Sequence, residues 1–480
     1  MVRKGSIFAF VFICAGAICP RFAGAMSWTA EPLTVHEWGV QVFDWGTATA
    51  ARPELPAFVH TDVHPGLAVA APQKRVKDLP PDSGMRFKPV LYFYLPEQDL
   101  GEAIVGVEMR FAYGHANAWF PQANVYRTPA MTANVREPDW NAWRMRNATR
   151  SYGATQVKPS LPVPDDPRME LAWYRLALSK GLPAAGKLPD VAADHWINTA
   201  RQVQSAYVSN GMEAEKFLFY EGATREKSAF AIIPDEDSFG VTGKAQYVVN
   251  VAETPIYNVF AIYRRDHHAW VGYAPTLEPI KSQAGSQPGG AGSTITALTL
   301  PDFDRRTHWT DDSELAGPTT DRLLAVLTGD DALSINHGMR DPADPQGPTQ
   351  SGQLFPDEAR ALEKIWHDEF FGNEGFTILY RESPAALDQA MPLNLYTDMY
   401  HYIKLSRCGL VVCKNIDTRQ LRQVYYGARS FANMDAKGRN ETIPVLRSNR
   451  HLTEGAIAYF ERLGQDPNQL AKVRAVLDEK

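Results

Sequence analysis

The sequence predicts an α+β fold: an antiparallel, β-rich, sandwich-like amino-terminal layer with packed helices, and a mixed α/β carboxyl-terminal half. Three observations lead there. Period-two alternation dominates the first third of the chain, amphipathic helical stripes follow, and strands then return, an order unlike the regular strand–helix alternation of a doubly wound parallel sheet. Hydrophobic residues make up 44% of the chain, enough for a sizeable core.

Taken in order, the first 25 residues have the three parts of a secretory signal: the basic Arg3 and Lys4, an apolar run over 5–18, and the small triplet Ala23-Gly24-Ala25. The apolar run is shorter than the ~20 residues of a spanning helix, so cleavage after Ala25 is expected, with a periplasmic or secreted product and no transmembrane segment in the mature chain. Removing three basic and no acidic residues from the 49 Lys+Arg and 55 Asp+Glu leaves 46 against 55, a net charge of −9. That balance argues against nucleic acid as partner, because phosphate binding needs concentrated positive charge.

In the mature chain, 33–45 reads as a long strand or a strand pair broken near Gly39. The segments 90–95 (VLYFYL) and 104–111, with Val105, Val107, Met109 and Phe111 on one face, read as further strands. A helix is predicted over 168–180, ended by Gly181, and another from near Asp190 on the stripe Trp196, Ala200, Val203 and Tyr207. Strands return at 216–220, 229–233, 245–251 and 257–263, and Asp266-His267-His268 reads as a polar hairpin turn. Residues 281–296, rich in Gly, Ser and Gln, read as a linker or long loop between a 26–280 domain and a 297–480 region. A helix over 357–371 follows, and Asp466 with Pro467 starts a terminal helix that buries Leu470, Val473 and Leu477.

Strong catalytic signatures are missing: there is no nucleophile elbow, no phosphate-binding loop, and no second histidine after His36-Glu37 to complete a zinc helix. Weaker candidates remain. His60, Asp62 and His64 alternate, so an extended strand would project all three from one face, where they could hold one divalent metal ion; the competing reading is a solvated loop before Pro65-Gly66. Glu37, on the strand face of Leu33 and Val35, is a candidate acid or base, against a structural hydrogen-bonding role. His36, Trp38 and Trp119 are candidate binding residues, because indoles offer flat apolar area with a polar handle; core packing is the competing reading. Cys408 and Cys413, the two cysteines of the mature chain, are expected to close a disulfide around a turn at Gly409, since five extended residues span about 16 Å.

The landmarks His36-Glu37-Trp38-Gly39, Lys88-Pro89-Val90-Leu91-Tyr92-Phe93-Tyr94, Trp119-Phe120-Pro121, Glu215-Lys216-Phe217-Leu218-Phe219-Tyr220-Glu221-Gly222 and the 357–366 helix with Trp366 resemble those of a family of uncharacterised exported bacterial proteins. The resemblance implies a β-rich amino-terminal layer and no particular activity. Glu221 departs from the arginine associated with that position.

Three functions fit these residues. The first is an exported cell-envelope protein that binds or assembles glycan or protein through its aromatic β-rich half. The second is a metal-assisted hydrolase of an envelope polymer, with His60, Asp62 and His64 as ligands and Glu37 as base. A redox protein built on the cysteine pair ranks last.

Overall fold

The computed structural model describes residues 32–44, 55–61, 83–97, 103–111, 115–126, 170–183, 187–225, 227–234, 246–280, 296–301, 310–329, 352–397 and 403–478. The strands in chain order are β1 (Leu33–Asp44), β2 (His60–Thr61), β3 (Ser83–Tyr94), β4 (Ala103–Arg110), β5 (His115–Phe120), β6 (Val125–Tyr126), β7 (Glu170–Ser179), β8 (Tyr207–Ser209), β9 (Ala214–Glu215), β10 (Leu218–Arg225), β11 (Phe230–Pro234), β12 (Gln246–Asn250), β13 (Ile256–Arg265), β14 (His268–Leu277), β15 (Ala297–Leu300), β16 (Thr310–Asp311), β17 (Gly375–Arg381), β18 (Leu393–Thr397) and β19 (Ile403–Ile416). The helices are α1 (Trp196–Ala200), α2 (Asp312–Thr328), α3 (Pro356–His367), α4 (Pro384–Ala390), α5 (Leu421–Ser430), α6 (Ala436–Ser448), α7 (Arg450–Arg462) and α8 (Pro467–Asp478). The fold is α+β, as the alternation and the helical stripes predict.

A ten-stranded sheet in the order β16-β14-β13-β17-β19-β1-β3-β10-β5-β2 is the backbone of the molecule. Its central pair, β1 and β19, runs parallel in register from Leu33↔Ile403 to Asp44↔Lys414, while the pairs on either side are antiparallel. Both central strands are buried on both faces, which explains their dense apolar composition. One face packs against α1, α2 and α3 around Trp38, Val40, Val90, Phe260, Val326, Leu362 and Val412. The other face is covered twice. Toward β5 it meets a six-membered sheet of β18-β4-β7-β8-β9 with β6 beside β7, enclosing Leu33, Val35, Leu91, Val105, Trp119, Trp173 and Tyr220. Toward β13 it meets the three-stranded sheet β11-β12-β15, whose far side is backed by α5 to α8.

These pairings cross the boundary that the glycine-rich stretch suggests. β1 pairs with β19, β4 with β18 and β12 with β15, so described segments from before 281 and after 296 share all three sheets. The stretch itself, 281–295, lies outside the described residues.

Two predicted helices are revised. Residues 170–179 form β7, whose Leu171, Trp173, Leu176 and Leu178 enter one core. A register shift sets Leu176 opposite Val105 and Trp173 opposite Val107, adding a residue to a period of two, and the resulting spacing imitates a helical stripe. Next, α1 occupies only Trp196–Ala200, with the His195 side chain accepting from the Ile197 N–H as its cap, and Tyr207 already belongs to β8. β1 is a single strand whose pairing with β3 slips at Gly39, where a Cβ would stand 3.1 Å from the Pro89 Cα. The 266–267 hairpin, the helix at 357 and the terminal helix form where predicted, with Asp266 and His267 in left-handed turn conformation.

Candidate functional site

β1 alternates sides, and its two faces build two polar groups. On the sandwich side, Leu33 and Val35 lie in the core under the six-membered sheet, and Phe43 packs against the core under the three-stranded one. Between them come Glu37, Gly39 and Gln41. β19 follows the same course: Ile403 in the first core, Arg407 and Gly409 in the middle, Val411 and Cys413 in the second core. A polar seam thus crosses the sheet where the two covering sheets meet.

In that seam the Glu37 carboxylate accepts from the Tyr220 hydroxyl on one oxygen and from Arg407 Nε on the other, and Arg407 Nη1 also binds Asp388 of α4. Glu37 and Arg407 are each 1% exposed. Burial alone would lower the Arg407 pKa, but the Glu37 and Asp388 carboxylates outweigh it and hold the guanidinium charged. Burial, then the adjacent Glu37 charge, push the Tyr220 phenol well above its ordinary value, so it stays a donor. Arg86 completes the seam with a two-pronged bond to Glu382, at 2.7 and 2.9 Å, and a 3.3 Å bond to Thr224. Gly409 is required there: a Cβ would lie 2.6 Å from a Glu382 carboxylate oxygen. Glu37 is therefore a structural ion-pair partner. Both of its oxygens are engaged and it is 1% exposed, an arrangement that fits the structural hydrogen-bonding role better than that of an acid or base open to a substrate.

On the opposite face, His36 Nδ1 lies 2.6 Å from Glu358 Oε2. Glu358 is the third residue of α3 and reaches back to accept from the Phe355 N–H at 2.7 Å, half of a capping box. The Phe355 ring stands 4.5 Å from the His36 ring and 4.7 Å from the Tyr94 ring, edge-on to the latter. Burial, and then the Glu358 charge, raise the Tyr94 pKa. Phe355 is 41% exposed, so the cluster reaches the surface from a buried ionic base.

The other predicted binding residues are core. Trp38 is 0% and Trp119 1% exposed, on opposite faces of the large sheet, so neither can stack on a ligand at the surface. His36 is also buried, beneath Phe355. Of the metal set, His60 sits on the two-residue edge strand β2, where Nε2 is 2.8 Å from Glu213 Oε1; Asp62 and His64 lie outside the described residues. Among the described residues no group of three or more His, Cys, Asp or Glu stands close enough to hold a metal ion.

The expected disulfide is also overturned. Cys408 and Cys413 are both free and buried in the same unbroken strand, where an odd separation sends Cys408 to the helix-covered face and Cys413 to the three-stranded sheet's core. Gly409 is an extended strand residue under Glu382, not a turn. With it goes the redox pair. Burial pushes the Cys408 thiol up to about 11 and Cys413 well above its ordinary value. Both should therefore resist a thiol reagent in the folded protein and react with two equivalents after denaturation, without reductant; a mass 2 Da lower before reduction would contradict this.

The members of this cluster that the sequence did not single out as site candidates are Tyr94, Phe355 and Glu358. Only Glu358 carries a local signal, an acid in the first turn of a helix opened by Pro356.

No family model matches the chain, and no curated protein does. Among solved structures, the Mu homology domain of Fcho1 from Danio rerio with a bound Eps15 peptide aligns over 82% of this chain and 97% of its own, at 7% identity and a TM-score of 0.25. A likeness of that size carries no argument about fold or function. Among the described residues no helix is long and apolar enough to cross a membrane.

Proposed function

We propose that this chain is an exported cell-envelope protein, periplasmic or secreted, that binds glycan through the exposed ring of Phe355, which Tyr94 and the buried His36 hold in place. The observation that carries this reading is the mounting of Phe355. It is the aromatic member of the three large apolar side chains exposed among the described residues, and it is fixed by two neighbouring rings and by its own N–H on the buried Glu358. A held aromatic face costs little ordering entropy when a sugar ring stacks on it.

The test is co-sedimentation with insoluble cell-wall glycan. Wild-type protein is expected to be retained and Phe355→Ala to bind about tenfold more weakly or worse, since covering a phenylalanine is worth about 1.5–3 kcal/mol. Leu182→Ala, which trims another exposed apolar side chain, should bind as wild type. Equal retention of the Phe355 variant, or none of the wild type, defeats the reading.

A metal-assisted hydrolase is the second reading, and the His60–Glu213 pair favours it: an imidazole and a carboxylate, each between a quarter and a third exposed, already 2.8 Å apart. One equivalent of zinc in protein purified without chelator, lost in His60→Ala, would support it. Metal-free native protein would end it.

A further inference from the structure

Charge is unevenly spread along the chain. Residues 419–450 carry seven Lys and Arg against two Asp and Glu, while the whole chain has a net charge of −6. Both acids serve the fold locally: Asp435 caps α6 by accepting from the Gly438 N–H at 2.7 Å, and Glu441 stands 4.0 Å from Lys437. α5, near the start of this segment, contains no acid at all.

α5 also sorts its residues by side. Leu421, Val424, Tyr425, Gly427 and Ala428 are buried, in the cores that join the three-stranded sheet to the carboxyl-terminal helices. Arg422, Tyr426 and Arg429, spaced by four and three, share the opposite side. Arg429 is exposed, and Arg422 and Tyr426 are half-buried. One helical face therefore presents a basic, an aromatic and a basic group in a row. Along the chain the nearest acids are Asp417, paired with Arg419 at 3.1 Å, and the cap Asp435.

We propose that this face of α5 docks the protein on an anionic phospholipid surface. Guanidinium forks bind phosphate oxygens two at a time. A phenol suits the headgroup layer, with an apolar ring and a polar hydroxyl, whereas a soluble polyanion would engage the arginines and gain nothing from the ring between them. The proposal does not depend on glycan binding by Phe355, which caps a different helix.

Flotation of the full mature chain with phosphatidylcholine vesicles, with and without phosphatidylglycerol, tests this. Binding is expected only where phosphatidylglycerol is present, and it should weaken as salt rises. Arg422→Gln Arg429→Gln should bind about tenfold more weakly or worse, since each basic side chain near such a surface contributes about a fivefold gain. Arg175→Gln Lys187→Gln, an equal loss of charge from exposed residues of the amino-terminal half, should bind as wild type. Tyr426→Ala keeps the charge and should still weaken binding several-fold. Wild type that ignores the anionic vesicles overturns the proposal, as does a loss no larger in the α5 double variant than in the control pair. Unchanged binding by Tyr426→Ala overturns the lipid assignment and gives the face to a soluble polyanion.

Discussion

Arg407→Met is expected to destabilise the protein by about 3–5 kcal/mol, the cost of leaving a buried charge without its partner. The variant keeps most of the aliphatic volume but strands Glu37 between two hydrophobic cores with only the Tyr220 hydroxyl beside it, and removes the cation from Asp388. Urea unfolding at pH 7 measures the loss as a lower midpoint at an unchanged slope. The double variant Glu37→Leu Arg407→Met should recover more than half of it, because two apolar groups in place of a buried pair remove both desolvation penalties. A single variant within about 1 kcal/mol of wild type would mean that water reaches the seam and that the two cores are not sealed against each other. The same experiment reads the relation between the two halves of the sandwich side, since Glu37 and Arg407 stand on the central parallel pair under the line where the two covering sheets meet.

The second large effect is acid lability from His451. Its ring lies in α7, stacked on Phe43 at 4.2 Å and edge-on to Phe230, and burial lowers its pKa from 6.5 to about 3. The unfolded chain takes up this proton below pH 6.5 and the folded chain does not until about pH 3. The unfolded state therefore binds more protons in that window, and the stability contributed by the neutral imidazole, complete above pH 6.5, is lost as pH falls toward 3. Over two pH units the loss is about 3 kcal/mol. Wild-type protein and His451→Phe, which keeps an aromatic ring between Phe43 and Phe230, should be unfolded in urea at pH 7 and 4.5. Carboxylates titrate equally in both, so the wild type should lose about 3 kcal/mol more than the variant over that interval. Parallel losses would show that the folded protein admits the proton on His451, with α7 loosened from β11 at mild acidity.

Where neighbouring residues in the chain decide conformation, the sequence was readable. Alternation in 104–111 makes β4, with Val105, Val107 and Met109 in the core as its spacing demands. Asp266-His267 turns the β13–β14 hairpin because short polar residues tolerate positive φ, and Pro467 opens α8 because its missing N–H is no loss there. The α+β class follows from such local patterns alone.

What the tertiary structure decided are the properties that depend on a partner far along the chain. β7 is a strand because β4 lies beside it; its bulged spacing carries no mark that separates it from a helix. Glu37 is an ion-pair partner because Arg407, 370 residues away, stands next to it across the parallel pair, and no spacing rule connects the two. Cys408 and Cys413 stay apart because the run between them is the buried centre of a sheet whose neighbours, β1 and β17, hold it extended, whereas on its own it could have turned at Gly409. The sequence by itself determined where the chain alternates, caps and turns, since those signals act over a few residues. Which charges are buried together, which aromatic rings are core and which reach the surface was decided only when strands distant in sequence paired, because burial is a property of the assembled layers and not of any segment.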